Sequence, residues 1–486
     1  MTTYIPVFWT SVESALLVNL IIIITPSAVW LKKLWSFFTS AVLSGCLLVC
    51  YWHSATEFIV PLDIMRCVNE GNNAFYLVPI VFSFDAISLV FGFLTFFLVA
   101  VCIAITWCSV TFNASFYLFL LWMLEFALLH TFTSQNLLLF YIFFEITLIP
   151  MFLMIILWGS RQRKVHAMYV FFFYTVCGSI LLLTGILLLY NFTGTLLLPI
   201  LNRFSFTGIY GYSLWALFFV GFAVKVPLVP FHTWLPEAHV EAPTGGSIIL
   251  AGLLLKVGTY GMLRFMIPML NSSVYNLRPI TMTVGLVSIF YASLCALRQT
   301  DMKKIIAYSS VAHMGLVIMG LFSMSMNGCV GSIFIMFSHG IVAGALFYSI
   351  GILYNRYHSR YVFSYSGMGN FMPIYFTLFF VFILANISFP GTSAFAGELM
   401  LLVGIFHVDY VMGVMATFSI IFPTLYSMWM YNRLAFGEVT KKIKGFSDLN
   451  KFEILIYLLF VVFMVTPGLK PAWLAINLEH FFFTII

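Results

Sequence analysis

Residues 222–261 read FAVKVPLVPFHTWLPEAHVEAPTGGSIILAGLLLKVGTYG. Two strongly apolar runs flank a polar turn, and each run holds one lysine, Lys225 and Lys256. A lysine at the centre of a spanning helix is costly, from ~2.5 kcal/mol upward. Pro227 and Pro230 follow the first lysine closely. Proline has no amide hydrogen to donate and opens the helical hydrogen-bond ladder. His232 lies seven residues after Lys225, about two turns on and on roughly the same helix face. A charge, a broken helix and a titratable ring on one face imply a buried hydrophilic path, and the rest of the chain is read from it.

The 486 residues are 62% hydrophobic and 8% charged, against ~25% charged in soluble globular chains. The composition is that of an integral membrane protein. The formal charge of +6 does not point to nucleic acid, because the basic residues sit in short loops between apolar runs. The eight cysteines are scattered without a CxxC pair, which gives neither a cluster nor a zinc site. No charged leader or small-residue cleavage site marks the start, so the first apolar segment is expected to be retained.

A spanning helix needs ~20 mainly apolar residues. On that ruler there are fourteen candidates, centred near residues 21, 43, 97, 124, 148, 178, 223, 256, 288, 313, 340, 387, 419 and 463. The runs are continuous rather than alternating, so helices are expected and not a barrel. The longest candidate loop, about residues 53–83, is mixed in character. Basic residues concentrate after the odd helices, among them Lys32, Lys33, Arg161, Arg163, Lys164, Arg298, Lys303, Lys304, Arg356, Arg360 and Lys442. The positive-inside rule then places both termini on the outer side.

Helix seven is interrupted at Pro227 and Pro230, and helix twelve, ANISFPGTSAFAGELML, at Pro390 and Gly391. Paired interruptions point to a transporter built from inverted repeats. The expected architecture is all-α: one transmembrane domain with amino-terminal helices (1–110), a first repeat of helices four to eight (111–270), an inverted second repeat of helices nine to thirteen (271–435) and a carboxy-terminal helix region (436–486).

Isolated intramembrane charges must pair, hydrate or neutralise. Glu145, Lys225, Lys256, His232, His313, His339 and Glu398 form such a set. A lysine in low dielectric gives up its proton more readily, a nearby glutamate reverses this, and histidine titrates near neutral pH unaided. One buried Glu–Lys pair is more often a structural clamp, and Glu125 is assigned to that class. Glu237, His239 and Glu241 read as lining a polar turn, without a ligand set for a metal. Two lysines, a glutamate on each side and three histidines in one membrane domain are the pattern of a relay.

KVPLVPFHTWLPEAHVEAPTGGSIILAGLLLKVGTYG resembles the core of the antiporter-like proton-pumping subunits of respiratory complex I. FYIFFEITLIPMFLMIILWG, DMKKIIAYSSVAHMG, FSHGIVAGALF and SFPGTSAFAGELMLLVG continue the likeness over about residues 85–440. Glu398, where other members carry lysine, favours the subunit 4 type over the subunit 2 and 5 types. Residues 53–83 match poorly, and nothing is carried over there. The resemblance implies that Glu145 modulates Lys225, that Lys256 is the central relay, that His232, His313 and His339 bridge through water, and that Glu398 is the terminal carrier. It also implies no cofactor in this chain. Flavin, iron–sulfur clusters and ubiquinone would belong to partner subunits, with neighbouring antiporter-like subunits and lipids as further partners. A mitochondrial inner membrane is the expected location, with a bacterial plasma membrane as the alternative. The competing functions are a subunit of a multi-chain sodium/proton antiporter and a structural membrane scaffold.

Overall fold

A computed structural model describes residues 4–25, 28–53, 62–63, 81–438 and 447–485. Most of the 53–83 loop, and Lys442, lie outside the described residues. Helices α1 (Tyr4–Ile24), α2 (Val29–His53), α3 (Ala86–Ser109), α4 (Ala114–Thr133), α5 (Leu137–Trp158) and α6 (Lys164–Thr193) come first. Next is α7, in two halves, Gly208–Lys225 and Trp234–Glu241. It is followed by α8 (Thr244–Met269), α9 (Asn271–Arg298), α10 (Met302–Phe322) and α11 (Met326–Tyr357). The second interrupted helix, α12, has halves Pro373–Asn386 and Ser393–Val408. Then come α13 (Tyr410–Ala435), α14 (Lys451–Leu469) and α15 (Ala472–Ile485). A two-residue antiparallel pair, Leu62–Asp63 with Val81–Phe82, joins the ends of the long loop.

Twelve helices among the described residues are long and apolar enough to cross a membrane. The first helix, with its shorter apolar stretch Val12–Ile22, and the divided α12 account for the other two of the fourteen expected centres. Helix α15 was not expected. Its 14 residues are too few for a span and include Glu479 and His480, so a ruler of spanning length passes over it.

Both breaks have a local cause. Pro227 and Pro230 cannot donate, so the first half of α7 stops at Lys225. Leu228 N–H then bonds back to the Ala223 carbonyl, five residues earlier, at 3.0 Å. The carbonyl of Val224, freed by the break, accepts the indole N–H of Trp234 at 2.8 Å. In α12 the same closure recurs: Phe389 N–H bonds to the Leu384 carbonyl at 3.0 Å, just before Pro390. By this register Lys225 corresponds to Asn386. Glu398 lies past the break, in the second half of α12, outside this correspondence.

Helices α3, α8 and α11 are buried over their whole apolar length, and α10 nearly so. They form the centre of the bundle, and the other helices surround them. Helix α8 is not a regular α-helix. Leu250–Leu254 and Met262–Met266 are π-helical, with an α-helical stretch carrying Lys256 between them. Such segments widen the helix and free carbonyls for other donors.

Candidate functional site

Lys225 ends the first half of α7 and is 2% exposed. Its Nζ has no hydrogen-bond partner and sits 4.4 Å from the centroid of the Phe144 ring, a cation–π contact. Glu145 is the next residue on α5. No ion pair within 4.0 Å joins it to Lys225, although the two charges act on one another. The lysine is thus cradled by a ring, with the carboxylate one step away. A Cβ placed on Gly258 would lie 3.3 Å from the Lys225 Cβ, so glycine is what lets the end of this half-helix meet α8 two residues from Lys256.

Lys256 is 0% exposed. Its Nζ lies 2.8 Å from Nδ1 of His339 on α11 and donates to the Ala251 carbonyl in the first π-helical segment. The His339 and His313 rings are 5.7 Å apart by centroid, at 59°. Both histidines line a cavity of about 20 Å³ with Ser338, Asn386, Ser388 and Glu398. That volume holds about one water molecule. Glu398, on the second half of α12, accepts a hydrogen bond from Ser419 at 2.7 Å. The structure therefore brings Lys256, His339, His313 and Glu398 together, with Lys225 and Glu145 continuing the line on the other side of α8.

His232 is not in this cluster. Its ring faces Tyr291 and Tyr308, with centroids 5.1 and 6.2 Å away. Glu125 is fully buried, and neither carboxyl oxygen has a hydrogen-bond partner, so it lacks the counter-charge of a clamp. In the polar turn, Glu237 pairs with Lys304 at 2.9 Å and Glu241 with Arg360 at 3.5 Å. Among the described residues no group of His, Cys, Asp and Glu could hold a metal ion.

Several buried charges were not distinguished in the sequence. Lys303 and Arg360, counted there as loop cations, are 3% and 0% exposed. Arg264 pairs inside the bundle with Asp85, to which Gln135 also approaches. Basic residues beside a span look alike in sequence whether they reach solvent or turn inward. A usable signal was the acid close by in the chain, Asp301 for Lys303.

The family model described as NADH:quinone oxidoreductase/Mrp antiporter, TM, matches residues 134–424. NADH-ubiquinone oxidoreductase chain 4 of Acanthamoeba castellanii is 47% identical over 400 residues, 82% of this chain and 80% of that protein. Its namesake from Arabidopsis thaliana is 46% identical over 419 residues, 86% and 84% of the two chains. A chain in the structure of respiratory complex I from Thermus thermophilus with bound NADH superimposes with a TM-score of 0.86 at 25% identity, covering 98% of each chain. A chain of the Mrp complex from Dietzia sp. gives a TM-score of 0.87 at 18% identity, covering 98% of this chain and 96% of that one, a likeness of fold.

Proposed function

Because the chain belongs to the NADH-ubiquinone oxidoreductase chain 4 family, sharing 47% identity with a member over 82% of its length, we infer that it is a proton-translocating membrane subunit of respiratory complex I. The single observation that carries the relay is the contact of Lys256 with His339, which opens on a cavity shared with His313 and Glu398. A proton on Lys256 Nζ passes to Nδ1 of His339. Nε2 of His339 has no hydrogen-bond partner and is free to release a proton toward His313 or a water in the cavity. Glu398 receives it and returns it to water. On the other side, the charge of Glu145 sets how firmly Lys225 holds its proton, and Lys225 reloads the line at α8. His232, apart from the cluster, is assigned to a separate water contact at the α7 break.

The halves 111–270 and 271–435 are read as inverted repeats. This rests on their shared order of three helices, a broken fourth and a fifth, and on the matching closures at Ala223 and Leu384. Flavin, iron–sulfur clusters and ubiquinone belong to partner subunits in this reading, and the redox reaction drives the relay from outside this chain. The membrane is the mitochondrial inner membrane, as the amoebal and plant relatives suggest. The likeness to the Mrp complex keeps a sodium/proton antiporter as the second reading. A line centred on two lysines favours protons, since sodium takes oxygen ligands.

The test is proton uptake by vesicles containing the purified complex, driven by NADH in sodium-free medium. Pumping is expected to persist without sodium. Pumping that stops when sodium is removed overturns the reading in favour of the antiporter.

A further inference from the structure

Residues 387–392 join the two halves of α12, and this short strap has two neighbours. On one side it lines the small cavity. Ser388 does so together with Asn386, the last residue of the first half, and with Ala394 and Glu398 of the second. On the other side the strap meets α14. A Cβ placed on Gly468 of α14 would lie 2.5 Å from the Gly391 carbonyl oxygen, 2.5 Å from the Thr392 carbonyl carbon and 2.7 Å from the Ser393 nitrogen. All three are backbone atoms, so no side chain can swing aside to admit a methyl group. The α7 break is met in the same manner, by Gly258 of α8, where a Cβ would lie 2.7 Å from Val226 Cγ2 and 3.3 Å from the Lys225 Cβ.

The strap is held in a costly shape. Ser388 has φ +61° and Gly391 φ +93°. A residue with a side chain rarely takes the first of these, and keeps it only where its surroundings hold it there. Inside the strap, Ser388 N–H donates to the Ala385 carbonyl at 3.1 Å, and the Thr392 hydroxyl donates to the Phe389 carbonyl at 2.8 Å. Outside it, α14 is a fixed support. The Phe463 ring lies 4.7 Å from that of Phe97 and 5.1 Å from that of Phe93, both on α3. Tyr457 donates to the Ser349 hydroxyl of α11 at 2.9 Å. Helix α14 is thus fastened to two of the central buried helices, and the strap lies between it and the cavity.

We propose that Gly468 is a positioning residue for the relay: by letting the backbone of α14 close on the strap, it holds Ser388 and Glu398 at the cavity they share with His313 and His339. This rests on the relay reading above and names what fixes its terminal acid. Gly468 touches no relay group itself and acts through the backbone of Gly391, Thr392 and Ser393. A methyl group at Gly468 displaces that backbone from α14 and carries the start of the second half of α12 with it. Proton transfer needs hydrogen-bond reach, directly or through one water, so a small displacement of Glu398 from a cavity of one-water size interrupts the line.

The test uses the assembled complex in vesicles and reads proton uptake per NADH oxidised beside complex content. The variants are Gly468→Ala, Glu398→Gln, the two combined, and Gly45→Ala. Gly45 is an exposed glycine of α2 with nothing within 4 Å of a Cβ, and its variant is expected to match the unaltered complex. Gly468→Ala is expected to assemble and to lose as much proton yield per NADH as Glu398→Gln. The combined variant is expected to pump no worse than Glu398→Gln alone, because a residue that acts through Glu398 adds nothing once Glu398 cannot titrate; independent defects would add. If Gly468→Ala fails to assemble, Gly391→Ala decides the question, since it disturbs the strap through its φ alone, with nothing within 4 Å of the new Cβ. A yield in Gly391→Ala matching that of Glu398→Gln supports the proposal, and a normal yield overturns it. Normal yield by Gly468→Ala beside an impaired Glu398→Gln overturns the positioning role alone, as does a combined variant worse than Glu398→Gln, or a Gly45→Ala loss equal to that of Gly468→Ala. Normal yield by Glu398→Gln overturns the place of Glu398 in the relay, and the positioning role with it.

Discussion

Nζ of Lys256 lies 2.8 Å from Nδ1 of His339, across 83 residues of sequence. One residue belongs to the irregular helix α8 and the other to the longest helix, α11. Both helices are buried along their apolar length, so the contact sits where water is scarcest. It joins the two halves of the chain by an atom pair able to exchange a proton.

Lys256 is therefore the position where loss of titration is expected to have the largest effect. Lys256→Ala is expected to leave assembly largely intact, since it removes a buried charge rather than a packed ring, and to abolish most proton uptake. Lys256→Arg should not restore it, because arginine stays protonated. Proton uptake and complex content measured together check this. Full pumping by the arginine variant rules out protonation cycling at this residue.

Gly397 precedes Glu398, and a Cβ there would lie 2.7 Å from the Phe334 Cβ and 3.0 Å from the Ile335 backbone nitrogen. Across the same contact, a Cβ on Gly331 would lie 2.8 Å from the Gly397 carbonyl. Small residues set this close approach of α11 to α12, as is common between membrane helices. Gly397→Ala is expected to push the helices apart at a cost of about 1–3 kcal/mol and to carry Glu398 away from the cavity. Proton uptake per NADH should fall more than complex content. Equal falls in the two would make Gly397 a packing residue alone.

The broken helices, and the buried charges and rings around the small cavity, were legible because proline and intramembrane charge are local signals. Pro227 after Lys225, and Pro390 ahead of Glu398, mark themselves in the sequence. The partners of those charges were not legible. Phe144 rather than Glu145 touches Lys225, because a rotation of α5 decides which neighbour faces inward. The π-helical segments around Lys256 leave no mark in a run of leucine and glycine. Lys303 and Arg360 look like loop cations until the corner at Ala242 folds over them, and the place of His232 beside Tyr291 and Tyr308 depends on where the α7 turn is aimed.

Arg264 and Asp85 pair with side chains 6% and 4% exposed, tying α8 to the start of α3. Removing one partner of a buried pair leaves the other charge uncompensated, at about 3–5 kcal/mol. Arg264→Met is expected to lower the thermal stability of the complex markedly. The double variant Arg264→Met with Asp85→Asn should regain part of it. Thermal inactivation of the purified variants reads this out, and a double variant no more stable than the single would show that the pair is not the source.

Lys164 begins the 30-residue helix α6, which spans about 45 Å, and Asn202 lies beyond its other end. Loop charge places Lys164 on the matrix side, together with Lys442, and Asn202 opposite. Cysteines introduced at Lys164, Lys442 and Asn202 should be labelled from opposite sides, the first two together. Labelling of all three from one side defeats this topology.

Glu398 is buried, accepts a hydrogen bond from Ser419 and lines the small cavity with His313 and His339. Its place in the second half of α12 leaves Asn386, which also lines the cavity, at the register of Lys225. The acid thus lies outside the register that relates the two breaks, on the opposite side of Lys256 from Glu145. Glu398→Gln keeps shape and still accepts from Ser419, but it cannot titrate, so it should impair pumping with little loss of assembly. Glu398→Asp still titrates, one methylene farther from the cavity, and should keep part of the activity. Glu398→Lys should be tolerated better than Glu398→Gln, because a buried lysine also exchanges protons and the Ser419 hydroxyl can turn to accept from it. Proton uptake per NADH oxidised in vesicles orders the three variants as aspartate and lysine above glutamine. A glutamine variant that pumps like the unaltered complex would show that Glu398 is a structural acid holding Ser419 and not a carrier.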